Sequence, residues 1–488
     1  MVIKLRKALL LGQRNTQTVL MILCLVYLRT RASSRVRLKR KENYVVKIRA
    51  VRLLLICLPS LAWFCVSFPA RLSADSLDVL GQIKLGSLDD RHPIIYVLFV
   101  KFTSINGQYI ALTALMQLVL LNFSIFKMLK VLIPESVKRE RCISFLTSFL
   151  MTLPFTGGLA TTIWKDSLLT IAMILSFAFL FQYFASQSMQ NLLKVLIAGT
   201  FAVSLRHELI LTIVIAAFFI TLLSFRFFVH RAALLRISAL LISTTFLSSA
   251  LANLAISITD AKELPSGTVA VQPLRDLAYA SNDNPQDIEL ALFVDAYSSG
   301  DSRLGASFCL NAVPFVYSKG FNLEAIQVNS NEIILSWFLY ASRYWYEYLQ
   351  LHYCSSKAFI PFPIALYPGY QYLLHPGIDP NNLNYASRPI FGEKSQVLLE
   401  LSNDFSLLVS KVMWPGLLFS VATVLIIRIR RLRLECLVVQ SICLAQLITL
   451  FLVPMAQDFR YANFVSVMAL VFIVSSIIEF RNLIKSGK

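Results

Sequence analysis

The sequence predicts an all-α polytopic membrane protein of about ten transmembrane helices with one large extracytoplasmic loop domain. Two observations carry that fold class. The first is recurrence. Apolar runs of about 20 residues, the length a helix needs to cross the hydrocarbon core, return throughout a 488-residue chain with 57% hydrophobic residues and a mean hydropathy of +0.65. Backbone in lipid must satisfy its own hydrogen bonds, so such runs are helical. The second is charge placement. Residues 1–52 hold 14 Lys and Arg against a single acid, Glu42, whereas 259–404 hold 15 acids against 8 bases. Membrane proteins keep their basic segments in the cytoplasm in this way.

Taken in order, the spans read as 53–70, 108–133, 142–163, 167–186, 192–205, 209–229, 233–258, 405–427, 436–455 and 462–479. Thr18–Leu28 is too short for a comfortable span, and reads as an interfacial segment or an extra N-terminal helix. It lacks a small-residue cleavage site, so no cleavable signal peptide is expected. Four regions follow: a basic cytoplasmic segment 1–52; an N-terminal transmembrane module 53–258 with its first outer loop at 71–107; the loop domain 259–404; and a C-terminal module 405–488. With the N-terminus inside, Lys138, Arg139 and Arg141, the turn 226–236 and the run 428–433 all fall inside, as do both termini. The net charge of +19 is then a matter of topology and contact with anionic membrane lipid, and no nucleic acid is expected as a partner.

The loop domain carries Trp337, Trp345, Tyr340, Tyr344, Tyr346 and Tyr348, and residues 331–350 suit an amphipathic helix at the membrane interface. Cys309 and Cys354 both fall there, where a disulfide is open to them. The other six cysteines lie at apolar segments and read as packing residues. Metal-ligand spacing is not seen among Cys and His.

Charged motifs concentrate on the outer side of this topology. Asp75 and Asp78 stand three apart just after the first span, on one helix face, followed by Asp89-Asp90-Arg91-His92-Pro93. Trp164-Lys165-Asp166 lies between the third and fourth spans, Arg206-His207-Glu208 between the fifth and sixth, and Gln457-Asp458-Phe459-Arg460-Tyr461 between the last two. Each also reads as helix capping and interfacial anchoring. Charge packed against a bilayer is costly, however, and a dense cluster at span ends reads as a site. Carboxylates supply a general base, and cations hold an anion.

At these residues the chain resembles the GT-C class of membrane glycosyltransferases. The resemblance lies in Ser73-Ala74-Asp75-Ser76 after the first span, the short stretch ending in Gly86, and Asp90-Arg91-His92-Pro93 opening the next helix. It is nearer to bacterial proteins of that class with a Trp-Lys-Asp outer turn and a late Asp-x-Arg-Tyr, here Trp164–Asp166 and Asp458–Tyr461, and Gln272-Pro273-Leu274 is similar too. The chain departs from the pattern where Ser76, not Glu, follows Asp75, and where Ile94 follows Pro93 in place of a second proline.

The resemblance implies a multi-pass enzyme of the bacterial inner membrane. It would transfer a sugar from a polyprenyl-phosphate donor to a glycan, lipid or protein acceptor on the extracytoplasmic face. Asp75, Asp78 and Asp90 are then the candidate catalytic carboxylates, and Lys165, Arg206 and Arg460 the donor-phosphate ligands. His92, Asp166, His207, Glu208, Asp458 and Tyr461 complete the candidate site. No cofactor is required by these residues, and participation of a divalent metal is left open. A surface-polysaccharide polymerase or ligase would instead rest on Arg343, His352 or His375. A lipid or sugar transporter would need broken helices at mid-membrane, where Pro154 and Gly157-Gly158 are the main interruption. A non-enzymatic scaffold would not need clustered outer charge.

Overall fold

The structure, a computed structural model, describes residues 52, 54–133, 139–206, 208–262, 268–307, 313–316, 318–356, 375, 377–388, 390, 393–410, 414–429, 433–453 and 459–485. Apart from Arg52 and the first two residues of α1, the body described below falls within Ile56–Lys488. Among the described residues it is helical, with only isolated β-bridges and no strand.

The N-terminal half contains α1 (Leu54–Val66), α2 (Ala74–Leu85), α3 (Ile94–Thr103), α4 (Ile110–Leu132) and α5 (Arg139–Thr152). It continues through α6 (Lys165–Ser186), α7 (Met189–Ser204), α8 (Leu209–Arg226) and α9 (Arg231–Thr259). The loop domain follows as α10 (Thr268–Asp283), α11 (Ile288–Asp295), α12 (Asp301–Gly305), α13 (Val313–Val316), α14 (Leu323–Val328), α15 (Ser330–Ala341) and α16 (Trp345–Ser355). The chain ends with α17 (Glu393–Ser410), α18 (Pro415–Arg428), α19 (Leu434–Leu452) and α20 (Asn463–Lys485).

Among the described residues, six helical segments are long and apolar enough to cross a membrane: those containing α4, α6, α8, α9, α19 and α20. A seventh is added if α5 and the turn after it count as one bent span. The apolar helices α1, α7 and α18 are of 10–17 residues. At a 1.5 Å rise per residue such helices fall short of a core of about 30 Å. The eighth apolar stretch is also not one helix. It begins inside α17, and Pro415 sits in the first turn of α18.

Helix α6 is the hub. It packs against α4, α7, α19 and α20, and is apolar and buried around most of its circumference. Polar pairs lock the neighbours. Asn463 donates to Thr170 at 3.1 Å, and Thr212 lies 2.8 Å from Gln446 and 3.0 Å from Thr449.

The stretch read as a continuous span at 142–163 is bent by 70°. Pro154 ends α5, and residues Pro154–Gly158 wind as a π-turn before a 3₁₀ turn at Leu159–Thr161. This bend delivers Trp164 and Lys165 to the start of α6. It closes because Gly157 has no side chain: a Cβ there would meet the Met151 carbonyl oxygen at 2.1 Å and the Trp63 ring at 2.5 Å. Trp63 itself donates to that carbonyl at 3.0 Å.

The loop domain has its own core, including Leu274, Leu277, Leu290, Phe315, Ile326 and Ile333. Asp276 is its polar centre, accepting from Gln272 at 2.8 Å and Trp337 at 2.9 Å and lying 3.0 Å from His352 Nε2. The expected aromatic helix at 331–350 is two helices, α15 and α16. Tyr344 and Tyr348 turn into the domain core, and Phe338, Leu339, Trp345 and Tyr346 face outward. Cys354 is disulfide-bonded, and Cys309 lies outside the described residues.

Gly157→Ala is expected to lower stability by about 2 kcal/mol or more, through overpacking of the bend. Gly81→Ala in α2, where a Cβ would meet only Leu383 at 4.0 Å, should be neutral or stabilising. Thermal unfolding of the detergent-purified variants checks the pair, and equal tolerance at both positions would contradict this packing.

Candidate functional site

Segments far apart in sequence bring their ends together at the N-terminus of α6. Residues 71–72 form the floor. Arg71 N donates to Thr161 O at 3.0 Å, and Ile163 N donates back to Arg71 O at 3.1 Å. On the other side Leu72 N donates to Gly377 O at 2.9 Å, and Asp379 N donates to Leu72 O at 3.0 Å. The Ile163 carbonyl accepts from Ser76 Oγ and from the Tyr96 hydroxyl, each at 2.7 Å. Trp164 Nε1 donates to Ser73 Oγ at 2.6 Å. The Trp164–Asp166 turn is thus held against the start of α2, which carries Asp75.

From there the ionic groups run as a relay. Asp75 Oδ2 is 3.3 Å from Arg460 Nη1, and Arg460 Nε is 3.9 Å from Asp166 Oδ2. Asp166 Oδ1 is 2.7 Å from Arg206 Nη1, and Arg206 Nη2 is 3.0 Å from Glu208 Oε1. Both arginines also stack on rings. Arg206 lies 4.3 Å over Tyr461, and Arg460 lies 4.7 Å over Trp164. Exposure grades along the relay: side chains of Asp166 and Arg206 are 2% and 5% exposed, whereas Asp75 is 51% exposed.

Burial opposes charge on Arg206, but Asp166 and Glu208 more than offset it and hold its guanidinium above the ordinary value. Burial likewise opposes the Glu208 carboxylate, and Arg206 and Lys165 outweigh it, pulling its pKa down to about 2. Lys165, half-buried, interacts electrostatically with Arg206, Glu208, Asp166 and Asp75. Among the described residues it has no ion pair of its own.

Asp78 belongs to a neighbouring cluster. Its Oδ2 is 3.2 Å from His92 Nε2, and its Oδ1 is 3.8 Å from Arg91, which also pairs with Asp89 at 2.7 Å. Burial pushes the His92 pKa down, as does Lys165, against the pull of Asp75 and Asp78, so the ring is neutral at pH 7. Asp90 stands apart from the relay. It lines a cavity of about 160 Å³ with Pro93, Ile94, Ser204, Asn253 and Ile256. His207 and Asp458 lie outside the described residues.

Arg71 escaped sequence reading, and His375 entered it only as a residue of the polymerase or ligase alternative. Arg71 is 1% exposed and reaches Ser67 Oγ at 2.8 Å, His375 O at 2.9 Å and Ser402 Oγ at 3.3 Å. Burial lowers its pKa to about 10, so it stays charged at neutral pH. It pins His375 beside the site. His375 meets the Trp164 ring edge-on at 6.1 Å and pairs with Asp379 at 3.3 Å. The i,i+4 His–Asp spacing was the available signal for that pair; nothing in the sequence singled out Arg71.

No protein-family model, curated protein or solved structure matches this chain. The site is therefore interpreted from its own geometry. Among the described residues, no group of three or more His, Cys, Asp and Glu is arranged to hold a metal ion.

Asp166→Asn is expected to cost about 3 kcal/mol or more, because it strips a buried guanidinium of its closest carboxylate. Glu208→Gln, at a side chain 35% exposed, should cost less than about 1 kcal/mol. Thermal unfolding in detergent compares the two; a Glu208 effect larger than that of Asp166 would contradict the assignment of the inner pair.

Proposed function

We propose that the chain is a GT-C-like integral membrane glycosyltransferase, its ten apolar stretches in the membrane and the relay on the extracytoplasmic side. The donor is a polyprenyl-phosphate-linked sugar and the acceptor carries a hydroxyl. The observation that carries this reading is the arrangement of Asp75, an accessible carboxylate, on a cation, Arg460, that also reaches the buried Asp166 carboxylate of the Asp166–Arg206 pair.

The chemistry follows from charge. Among the described residues, Asp75, Asp166 and Glu208 face Lys165, Arg206 and Arg460, so three formal negatives meet three positives. The acceptor oxygen bonds to the anomeric carbon as the bond from that carbon to the phosphate oxygen breaks. The proton goes to Asp75 and the electron pair leaves with the phosphate. Asp75 loses one negative charge as the phosphodiester, becoming a monoester, gains one, and the total in the site is unchanged. Arg460, freed from Asp75, and Lys165 are placed to take up the new charge. Arg206 has both ends of its fork on carboxylates, so its part is to hold Asp166 and Tyr461 rather than the donor. A single displacement inverts the anomeric configuration.

A polymerase or ligase of lipid-linked glycans is a second reading, supported by His375 lying against Trp164. Release of polyprenyl phosphate by the reconstituted protein separates the two. Asp75→Asn is expected to slow it by about a hundredfold or more, in line with loss of a general base. Lys165→Ala should raise the donor concentration needed, and His375→Gln should have a smaller effect than Asp75→Asn. Full activity in Asp75→Asn with loss in His375→Gln would favour the second reading.

A further inference from the structure

A second charged cavity lies at the other end of α6. The relay sits at its first residues, and the cavity is lined by its last turns, at Phe181, Gln182, Phe184 and Gln187. A 22-residue helix separates the two by about 33 Å. The cavity measures about 580 Å³, within the range of small-molecule sites. Its charged lining comes from separate elements: Lys130 from the last turn of α4, Arg139 from the start of α5, His230 from the entry to α9, and Arg433 with Glu435 from the entry to α19.

A general excess of bases at helix ends follows from topology alone and needs no cavity. Here the bases converge on one concave space, where among the described lining residues Lys130, Arg139 and Arg433 outnumber the one carboxylate, Glu435. That carboxylate is held by Arg433 at 2.6 Å. The N-termini of α5, α9 and α19 also end here, and helix N-termini favour anions. One wall is apolar, formed by Val131, Phe181, Phe184 and Leu434. Basic groups with an apolar wall at a helix-bundle end suit a phosphate ester attached to an apolar body.

We propose that this cavity binds the phosphate of an anionic phospholipid headgroup, at a site separate from the relay. Arg139 and Arg433 hold the phosphate oxygens, Lys130 adds charge at the rim, and the aromatic wall takes the glycerol and first methylenes. Glu435 competes with the ligand for Arg433.

The test is thermal unfolding of the full chain in neutral detergent, titrated with phosphatidylglycerol, phosphatidylcholine or inorganic phosphate. Phosphatidylglycerol is expected to raise the melting temperature saturably and phosphatidylcholine not to. Arg139→Gln and Arg433→Gln should raise the half-saturating concentration by about tenfold each. The exposed Lys130→Gln should raise it less, and serves if either arginine variant fails to fold. Glu435→Gln should lower it. An equal response to inorganic phosphate, lost in the same variants, would keep the anion site and overturn the lipid as its source. A response unchanged in the arginine and Lys130 variants, a weaker one in Glu435→Gln, or none to either phosphate probe would overturn the site.

Discussion

Asp166 and Arg206 face each other at 2.7 Å in a place that water barely reaches. Either charge alone there would cost several kcal/mol, so neither can be held without the other. This pair fixes the start of α6 to the turn between α7 and α8. Tyr461, stacked on Arg206, joins the start of α20 to the same point. Arg460, the next residue along, is thereby set between Asp166 and Asp75. The position of the exposed carboxylate is the last consequence of a buried ion pair two links away.

That order gives the site a division of labour. The inner pair is rigid and spent within the protein, while the outer pair is accessible. Asp75 has solvent on one side and a cation on the other, which suits a group that must take a proton and then give it up. Trp164 supports Arg460 through its ring face and Ser73 through its indole nitrogen, so one residue ties the cation to the start of the helix that bears Asp75. The bend at Pro154–Gly158 is what lets Trp164 reach both. A straight continuation of α5 would carry the chain away from α2.

Much of this was legible in the sequence, for identifiable reasons. Hydropathy located the long apolar stretches, because burial in lipid and burial in protein both select apolar residues, but passed over the short apolar helix α3. It overstated helix length at α1 and α18, whereas the short fifth stretch, 192–205, is close to α7 as it stands. Charge parity gathered Asp75, Lys165, Arg206 and Arg460 on one side, and their motifs do meet. Which carboxylate pairs with which cation was not legible. Asp75 and Arg460 are 385 positions apart, and only the packing of α6 against α20 brings them together. Arg71 was missed because its partners are a carbonyl, hydroxyls and an amide from segments that carry no motif. The aromatic stretch at 331–350 was read as one interfacial helix because period alone does not reveal the break at 342–344, where its rings turn into the loop-domain core.

The central claim is that Asp75 drives turnover of a polyprenyl-phosphate-linked sugar. The most direct measurement is mass spectrometry of lipid-linked sugars extracted from cells that lack the protein, and from the same cells carrying the wild type or the Asp75→Asn variant at equal membrane abundance. The account predicts that one polyprenyl-phosphate sugar accumulates without the protein, returns to its normal level with the wild type, and stays high with Asp75→Asn. Identical lipid-linked sugar profiles in all three would contradict it.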